Sequence, residues 1–545
     1  MYLRYTSAQQ SPAWIRSMNP STRSLSAFLS GILASASMFR AGAAALALAV
    51  VVSACSVNPV TGDREVVLVS EDWELDVGKT QYLPLRQAQG GDYVVDPQVQ
   101  AYVNEVGQRI AAKSDRKLPY EFHVINDSTP NAWALPGGKI SINRGLLTEL
   151  KDESELAAVL GHEIVHAAAR HGAQGQTRGL GLQLGVITAS VIGAREGYGQ
   201  EAQLVSSVGA QLINSRYGRG AELEADRYGM EYMARSGYDP EGAVDLQRTF
   251  VELSEGRSND AFSKLFASHP PSEERVRKNI ETAAALPHTG NRGADRYLKN
   301  IGTLRKTEKA YELYEQAQAA LAKNNKSGAE KLVRQAIRIE PREGHFHSLL
   351  GDITRTEGNT RAARAHYDKA ISLNPQFYYY YLQRGKINEA EGNQAAALAD
   401  YQRSMKLLPT GEAQLALGRF AERQGNRQAA GEYYARAAQA GGQVGNDARA
   451  GLARLQPAAQ TNTRLLVHQG LTPGGVLAIE FINQTSRPLS NIELGIRRTP
   501  GAEQQVRRVQ GVLQPGERRV IQTGQRMNRA EAARMQIQVL RADAL

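Results

Sequence analysis

The sequence predicts a multidomain chain: an α+β domain, an α-helical solenoid of repeats and a small C-terminal antiparallel β-sandwich. Three observations carry this reading. His162-Glu163-Ile164-Val165-His166 sits in an apolar run of helical character, with short alternating segments upstream. From about residue 305, Pro, Gly, Ala and Tyr recur with a period of 34 residues. Past residue 463, alternating segments are separated by Pro/Gly turns. At 545 residues the chain exceeds what one core holds, and three or four domains are expected.

Hydrophobic content of 42% and charged content of 22% are those of a soluble globular protein. The formal charge is +10, but residues 1–54 contain Arg4, Arg16, Arg23 and Arg40 and no Asp, Glu or Lys. Removing those four from the 65 basic residues leaves 61 against 55 acidic ones, so no nucleic-acid partner is expected. Cys55 is the one cysteine, which excludes an intramolecular disulfide. It follows Met38-Phe39-Arg40 and the apolar, alanine-rich run Ala41 to Ala54, too short for a membrane-spanning helix. The pattern resembles a bacterial lipoprotein signal, in which the cysteine is lipidated and becomes the mature N-terminus. An ordinary cleaved signal beside an incidental cysteine is the alternative. Residues 1–54 are thus expected to be a leader, with translation starting at Met38 or Met18 because Met1 to Ser37 would make it unusually long. Ser56, rather than an aspartate, resembles lipoproteins sorted to the outer membrane.

Residues 55–300 form the expected α+β domain. Val57 to Gln89 is a polar entry segment, with Asn58-Pro59-Val60-Thr61-Gly62 as a turn. Pro97 to Ala112 has helical spacing. Tyr120 to Asn126 and Lys139 to Asn143 alternate as strands, with His123 a packed or exposed strand residue rather than a ligand. Asp152 and Glu155 make a capping box for the next helix. On that helix His162 and His166, four apart, share a face and can hold one metal ion, while Glu163 can take a proton from a water on it. A buried amphipathic helix carrying two histidines is the alternative. Residues 172–216 are rich in small residues, and Leu180 to Gly193 reads as a helix covering the site rather than a membrane span. Glu222 and Asp226 share a face of a later helix, with Glu224 pointing elsewhere. A two-histidine zinc site needs a third ligand from another element and leaves one position for water. Glu222 fits that role, and Asp226 can accept a hydrogen bond from the far nitrogen of a ligating histidine. One Zn²⁺ per chain is therefore expected. His171, five residues after His166, is placed outside the site, and His288, His345, His347, His366 and His468 have no ligand spacing.

An HExxH helix followed by Glu222-Leu223-Glu224-Ala225-Asp226 resembles the gluzincin metallopeptidases of the HtpX, Oma and CAAX-prenyl-protease superfamily. Asn131-Ala132-Trp133-Ala134-Leu135-Pro136-Gly137-Gly138 resembles that family's edge strand, against which an extended substrate would lie by β-augmentation. Asn58 to Gly62 resembles the start of its lipoprotein members, and Ser268-His269-Pro270-Pro271 through Arg275 resembles its (S/T)HPxxxxR segment. In the BepA-type subgroup the matching loop histidine reaches the metal. By that resemblance His269 is a fourth ligand that plugs the open position, and the alternative is a rim residue that supports substrate.

Residues 305–455 carry the repeats. Pro341, Pro375 and Pro409 are 34 apart, and Gly351/Gly385, Gly358/Gly392, Ala363/Ala397 and Tyr367/Tyr401 keep that spacing. Gly418, Gly425, Ala430 and Tyr434 follow offset by one, and Asn325, Ala329 and Val333 mark a degenerate first copy. This is the tetratricopeptide signature, about four units stacked as a solenoid. Some of Tyr378 to Tyr381 must pack between helices, and the remainder can line a peptide groove. Gln456 to Thr463 reads as linker, and residues 463–545 as the β-sandwich. Its Arg497, Arg498, Arg507, Arg508, Arg518 and Arg519 face either solvent or an anionic lipid or peptidoglycan surface.

The expected activity is a zinc metalloendopeptidase. The resemblance implies a periplasmic protein, lipid-anchored to the outer membrane, whose clients and partners are outer-membrane proteins and their assembly machinery. A chaperone or assembly adaptor with a latent or mainly structural zinc site is the alternative. The C-terminal sandwich departs from the BepA-type plan.

Overall fold

A helix that is apolar on all sides has to be wrapped on all sides. The helix Glu153–Ala168 is: every residue of it except His162 is buried. The structure, a computed structural model, describes residues 55–183, 217–255, 262–287, 290–455, 465–498 and 504–544. The expected leader over 1–54, most of the Leu180 to Gly193 stretch, His288 and the Gln456 to Thr463 linker lie outside them. Among the described residues no helix is long and apolar enough to cross a membrane.

The chain divides into two compact units, the first ending at Tyr380 and the second starting at Tyr381. In the first, β1 (Cys55–Val57) and β2 (Arg64–Val66) form a small antiparallel ribbon around the Asn58 to Gly62 turn. Then come α1 (Glu71–Ala88) and α2 (Pro97–Ala111), which starts on Asp96 as cap with proline in its first turn. A three-stranded sheet follows, of β3 (Glu121–Ile125), β4 (Ala132–Leu135) and β5 (Lys139–Asn143), in the order β3-β5-β4. β3 runs parallel to β5 and β4 antiparallel, which leaves β4 at an edge. After α3 (Arg144–Glu149) comes α4, the buried helix Glu153–Ala168. Its expected capping box forms by half. Asp152 accepts the Glu155 N–H at 2.9 Å, but Glu155 reaches one residue further back, to the N–H of Lys151 at 2.7 Å. The rest of the domain is helical: α5 (His171–Gln183), α6 (Arg219–Arg235), α7 (Glu241–Glu255), α8 (Ser263–Ser268), α9 (Glu273–Ala285) and α10 (Ala294–Asn300).

Packing is continuous across residues 300–305. One hydrophobic cluster runs from Tyr93 through Val165 and Tyr297 into Tyr311, Val333 and Ile353. The first repeat helices, α11 (Gly302–Ala322), α12 (Lys326–Ile339), α13 (Gly344–Thr356) and α14 (Thr360–Leu373), belong to the same unit as the metal-motif domain. The guanidinium of Arg144 lies 3.4 Å over the Tyr311 ring, and Glu343 accepts from Asn126 at 2.9 Å and Tyr311 at 2.7 Å. The contacts of Asn126 and Arg144 cross the junction to partners 217 and 167 (311 − 144) residues away, so no local pattern announces them.

The repeat register is explained by contacts. Gly358, Gly392 and Gly425 end helices in the left-handed conformation (φ 83°, 79° and 74°), and in the degenerate first copy Asn324 does so at φ 58°. Tyr378, Tyr379, Tyr380 and Tyr381 are all buried, at most 9% exposed, so the ring surplus expected to line a groove is not there. The second unit contains the helices Gln394–Leu407, Gly411–Arg423, Arg427–Ala437 and Gly442–Leu455. The C-terminal strands form two three-stranded antiparallel sheets, one of Leu465–Leu471, Val476–Asn483 and Arg518–Arg526, the other of Leu489–Arg497, Gln505–Val509 and Gln536–Ala544. Leu477, Ile479, Phe481, Leu494 and Ile496 build one core from both, as a sandwich requires. The strand Gln505–Val509 and the short helix Arg529–Arg534 have too little pattern to be read from sequence. Arg508, Arg518 and Arg519 sit near Glu493, Glu480 and Glu517 on the surface.

Candidate metal centre

α4 and α6 cross at two glycines. A Cβ on Gly161 would lie 3.0 Å from the Gly229 carbonyl oxygen, and one on Gly229 3.0 Å from the His162 amide nitrogen. With no side chains between them the two backbones approach closely, and Glu222 at the start of α6 reaches the histidines of α4. His162 Nε2 and His166 Nε2 are 3.0 Å apart. Glu222 comes within 3.5 Å of the first and 3.4 Å of the second. A tetrahedral zinc with ligand bonds near 2.0–2.1 Å separates its donors by about 3.3 Å. The donor atoms of His162, His166, Glu222 and His269 all lie within 4.8 Å of one another, so these residues fit such an ion. Glu222 Oε2 has a charge contact with Arg275 Nη1 at 2.9 Å yet takes no well-formed hydrogen bond among the described residues.

His269, at the end of α8, points Nδ1 into the cluster, 3.2 Å from both His162 Nε2 and Glu222 Oε1. Its Nε2 lies 3.6 Å from Glu163 Oε1. The structure thus brings His269 into one cluster with His162, His166 and Glu222. Glu163 is buried, and burial pushes its carboxyl above the ordinary range; Oε2 has no hydrogen-bond partner among the described residues. A pocket opens beside it, lined by Ala132, Val159, Met230, Met233, Leu246 and Phe250.

Asp226 lies where the helix spacing puts it, with Oδ1 3.0 Å from His162 Nδ1. The carboxylate is gripped by Arg275, whose Nε and Nη2 donate at 2.6 and 2.7 Å. Burial disfavours a charged His162, but the bonds to Asp226 and Glu222 outweigh it and push its pKa up to about 10 in the metal-free protein. At His166 burial wins and holds the imidazole well below its ordinary value. Asp226 is itself held low, against burial, by Arg275.

Of the expected substrate strand, Ala132, Trp133, Ala134 and Leu135 form β4 and are buried, while the Asn131 carbonyl accepts the Asn143 N–H at 2.8 Å. Trp133 Nε1 donates to Gln89 at 3.1 Å. Cys55 begins β1; its side chain lies outside what is described. Three residues near the centre were given no part by sequence reasoning. Arg275 stands inside a quoted motif but has no i,i+4 partner to betray it. The Tyr217 ring lies flat on His166, 3.9 Å between centroids, with no pattern around it. His171 was set aside on its spacing, yet its Nδ1 is 2.8 Å from His166 Nδ1.

A buried HExxH helix with a glutamate from a second helix defines the class: a metallopeptidase-type centre with two histidines and one carboxylate. Residues 97–283 match the model of peptidase family M48, and residues 345–377 match a tetratricopeptide repeat. The chain is thus similar to peptidase family M48 over about a third of its length and to a tetratricopeptide repeat further on. It is 34% identical over 226 residues to the mitochondrial metalloendopeptidase OMA1 of Schizosaccharomyces pombe, a match covering 40% of this chain and 64% of that protein. It is 29% identical over 232 residues to the beta-barrel assembly-enhancing protease of Escherichia coli K12, covering 40% and 46%. The metalloprotease LoiP of the same organism is 32% identical over 158 residues, covering 29% and 60%. The match thus spans less than two thirds of each of these relatives.

Proposed function

We propose that the chain is a zinc-dependent endopeptidase of the bacterial envelope, acting in quality control or assembly of outer-membrane proteins, with repeats that hold client or partner proteins. The convergence of His162, His166 and Glu222 on one point, with Glu163 buried beside it, carries this reading. Zinc held there would polarise the scissile carbonyl and lower the pKa of a water to about 7. Glu163 would take a proton from that water and pass it to the leaving amine; a carboxyl raised by burial can do both. Asp226, pinned by Arg275, holds His162 in one orientation. The Asn131 to Ala134 strand lines up an extended substrate beside the cavity that Ala132 enters. Envelope location and a lipid anchor rest on the leader-like pattern ending at Cys55 and on the likeness to beta-barrel assembly-enhancing proteases. Protein partners rest on the repeats. The test is Glu163→Gln. Zinc content should stay, and hydrolysis of an unfolded outer-membrane protein should fall by about 10²- to 10⁴-fold. Undiminished cleavage by this variant would remove the mechanism.

His269 favours a second reading, an assembly adaptor with a latent site, because its Nδ1 joins the donor cluster, 3.2 Å from both His162 Nε2 and Glu222 Oε1. Under it, His269→Ala raises basal proteolysis. Unaltered proteolysis would leave the histidine without a gating role.

A further inference from the structure

On an unbroken helix a residue five positions after His166 faces about 140° away from it. The helix is broken instead. α4 ends at Ala168, and Arg170 adopts a left-handed φ of 63°, uncommon for a residue with a Cβ. Its side chain is fastened by three hydrogen bonds: Nε to Glu74 Oε1 at 2.5 Å, Nη1 to Ser56 Oγ at 2.7 Å and Nη2 to the Val69 carbonyl at 2.9 Å. The turn at Arg170 brings buried His171 against buried His166, Nδ1 to Nδ1 at 2.8 Å.

A polar chain leads on from there. His171 Nε2 lies 3.4 Å from Glu224 Oε1, and that carboxylate accepts Asn58 Nδ2–H at 2.8 Å. The donors and acceptors agree in direction. With His166 Nε2 facing the metal position, its Nδ1–H donates to His171 Nδ1. The His171 proton is then on Nε2, aimed at Glu224, which as a carboxylate accepts from both sides. Asn58 is 1% exposed, and its own Oδ1 accepts the N–H of Val60 at 2.9 Å, so the Asn58 to Gly62 turn points its amide inward. Across the site, His162 has the matching arrangement through Asp226 and Arg275.

We propose that His171, Glu224 and Asn58 are positioning residues that set the tautomer and orientation of His166, making the entry segment after Cys55 a structural part of the metal centre. This rests on the zinc reading above. The test measures zinc affinity of the full chain by chelator competition, with melting of the metal-free protein alongside, for His171→Phe, Glu224→Ala, Glu224→Asp and Asn58→Ala. His171→Phe and Glu224→Ala should weaken zinc binding about 10- to 100-fold, Asn58→Ala by less, with Glu224→Asp recovering part and metal-free melting unchanged. Should His171→Phe fail to fold, Glu224→Ala decides, since its side chain is partly exposed at 19%. Affinities within about twofold of the unmodified chain, or losses that only follow lost metal-free stability, overturn the proposal. An unmodified chain that binds no zinc overturns the zinc reading itself; one that binds zinc while the variants match it overturns this inference alone.

Discussion

Two kinds of helix crossing in this chain depend on glycine, and they use it differently. In the repeats the glycine of one helix faces a tyrosine ring of the next: a Cβ on Gly351, Gly385 or Gly418 would meet Tyr367, Tyr401 or Tyr434 at 2.7–3.0 Å. In the metal centre Gly161 faces Gly229, backbone to backbone. A ring in the gap sets a helix spacing that can be stacked again and again, and each unit needs only its neighbour. An empty gap brings two helices close enough for a carboxylate on one to join two imidazoles on the other. The first arrangement is redundant and serves shape. The second occurs once and serves a site.

The strongest way to break the comparison is to remove a charge from the centre. Arg275→Leu leaves Asp226 and Glu222 buried without their shared cation, and the metal-free protein should lose about 3–5 kcal/mol in denaturant unfolding. A loss no larger than at a surface arginine would mean that the cluster is not held as described. The two glycines are compared directly by Gly229→Val and Gly385→Val. Each should cost about 1–3 kcal/mol of stability through overpacking, but only Gly229→Val should also weaken zinc binding, because only it separates ligand-bearing helices. Equal zinc affinities in the two variants would erase the distinction. The smallest effect is a proton count. Metal-free His162 is raised to about 10, so at about pH 8 it is protonated and a metal must displace that proton. Zinc uptake should then release close to one proton, read by calorimetry in buffers of different ionisation enthalpy, and apparent affinity should rise with pH up to the raised pKa. A pH-independent affinity in that range would remove His162 from the ligands.

How far the centre could be read in advance follows the same division. His162 with His166, and Glu222 with Asp226, are pairs four apart on single helices, and a helix turns that spacing into geometry without help from the rest of the chain. His171 was set aside by the same rule, because the rule assumes a continuous helix and the chain turns at Arg170. What holds that turn is Glu74, Ser56 and Val69, about a hundred residues earlier in the chain. The substrate-strand segment is expected to be an edge strand by resemblance alone; in the fold β4 lies at an edge because β5 pairs with it on one side only.

The sequence by itself determined the helix carrying the HExxH motif, the candidate ligands His162, His166 and Glu222, the repeat register and most strands of the C-terminal sandwich. Each is a pattern complete within one element or one repeat, where backbone geometry alone sets which side chains share a face. Only the tertiary structure decided that His269 enters the cluster, that Arg275 grips Asp226, that Asn58 reaches Glu224, and that the core runs past residue 300 into the first repeats. Those contacts join residues tens to hundreds of positions apart, and their existence depends on how closely whole helices can pack, down to the absence of a Cβ at Gly161 and Gly229.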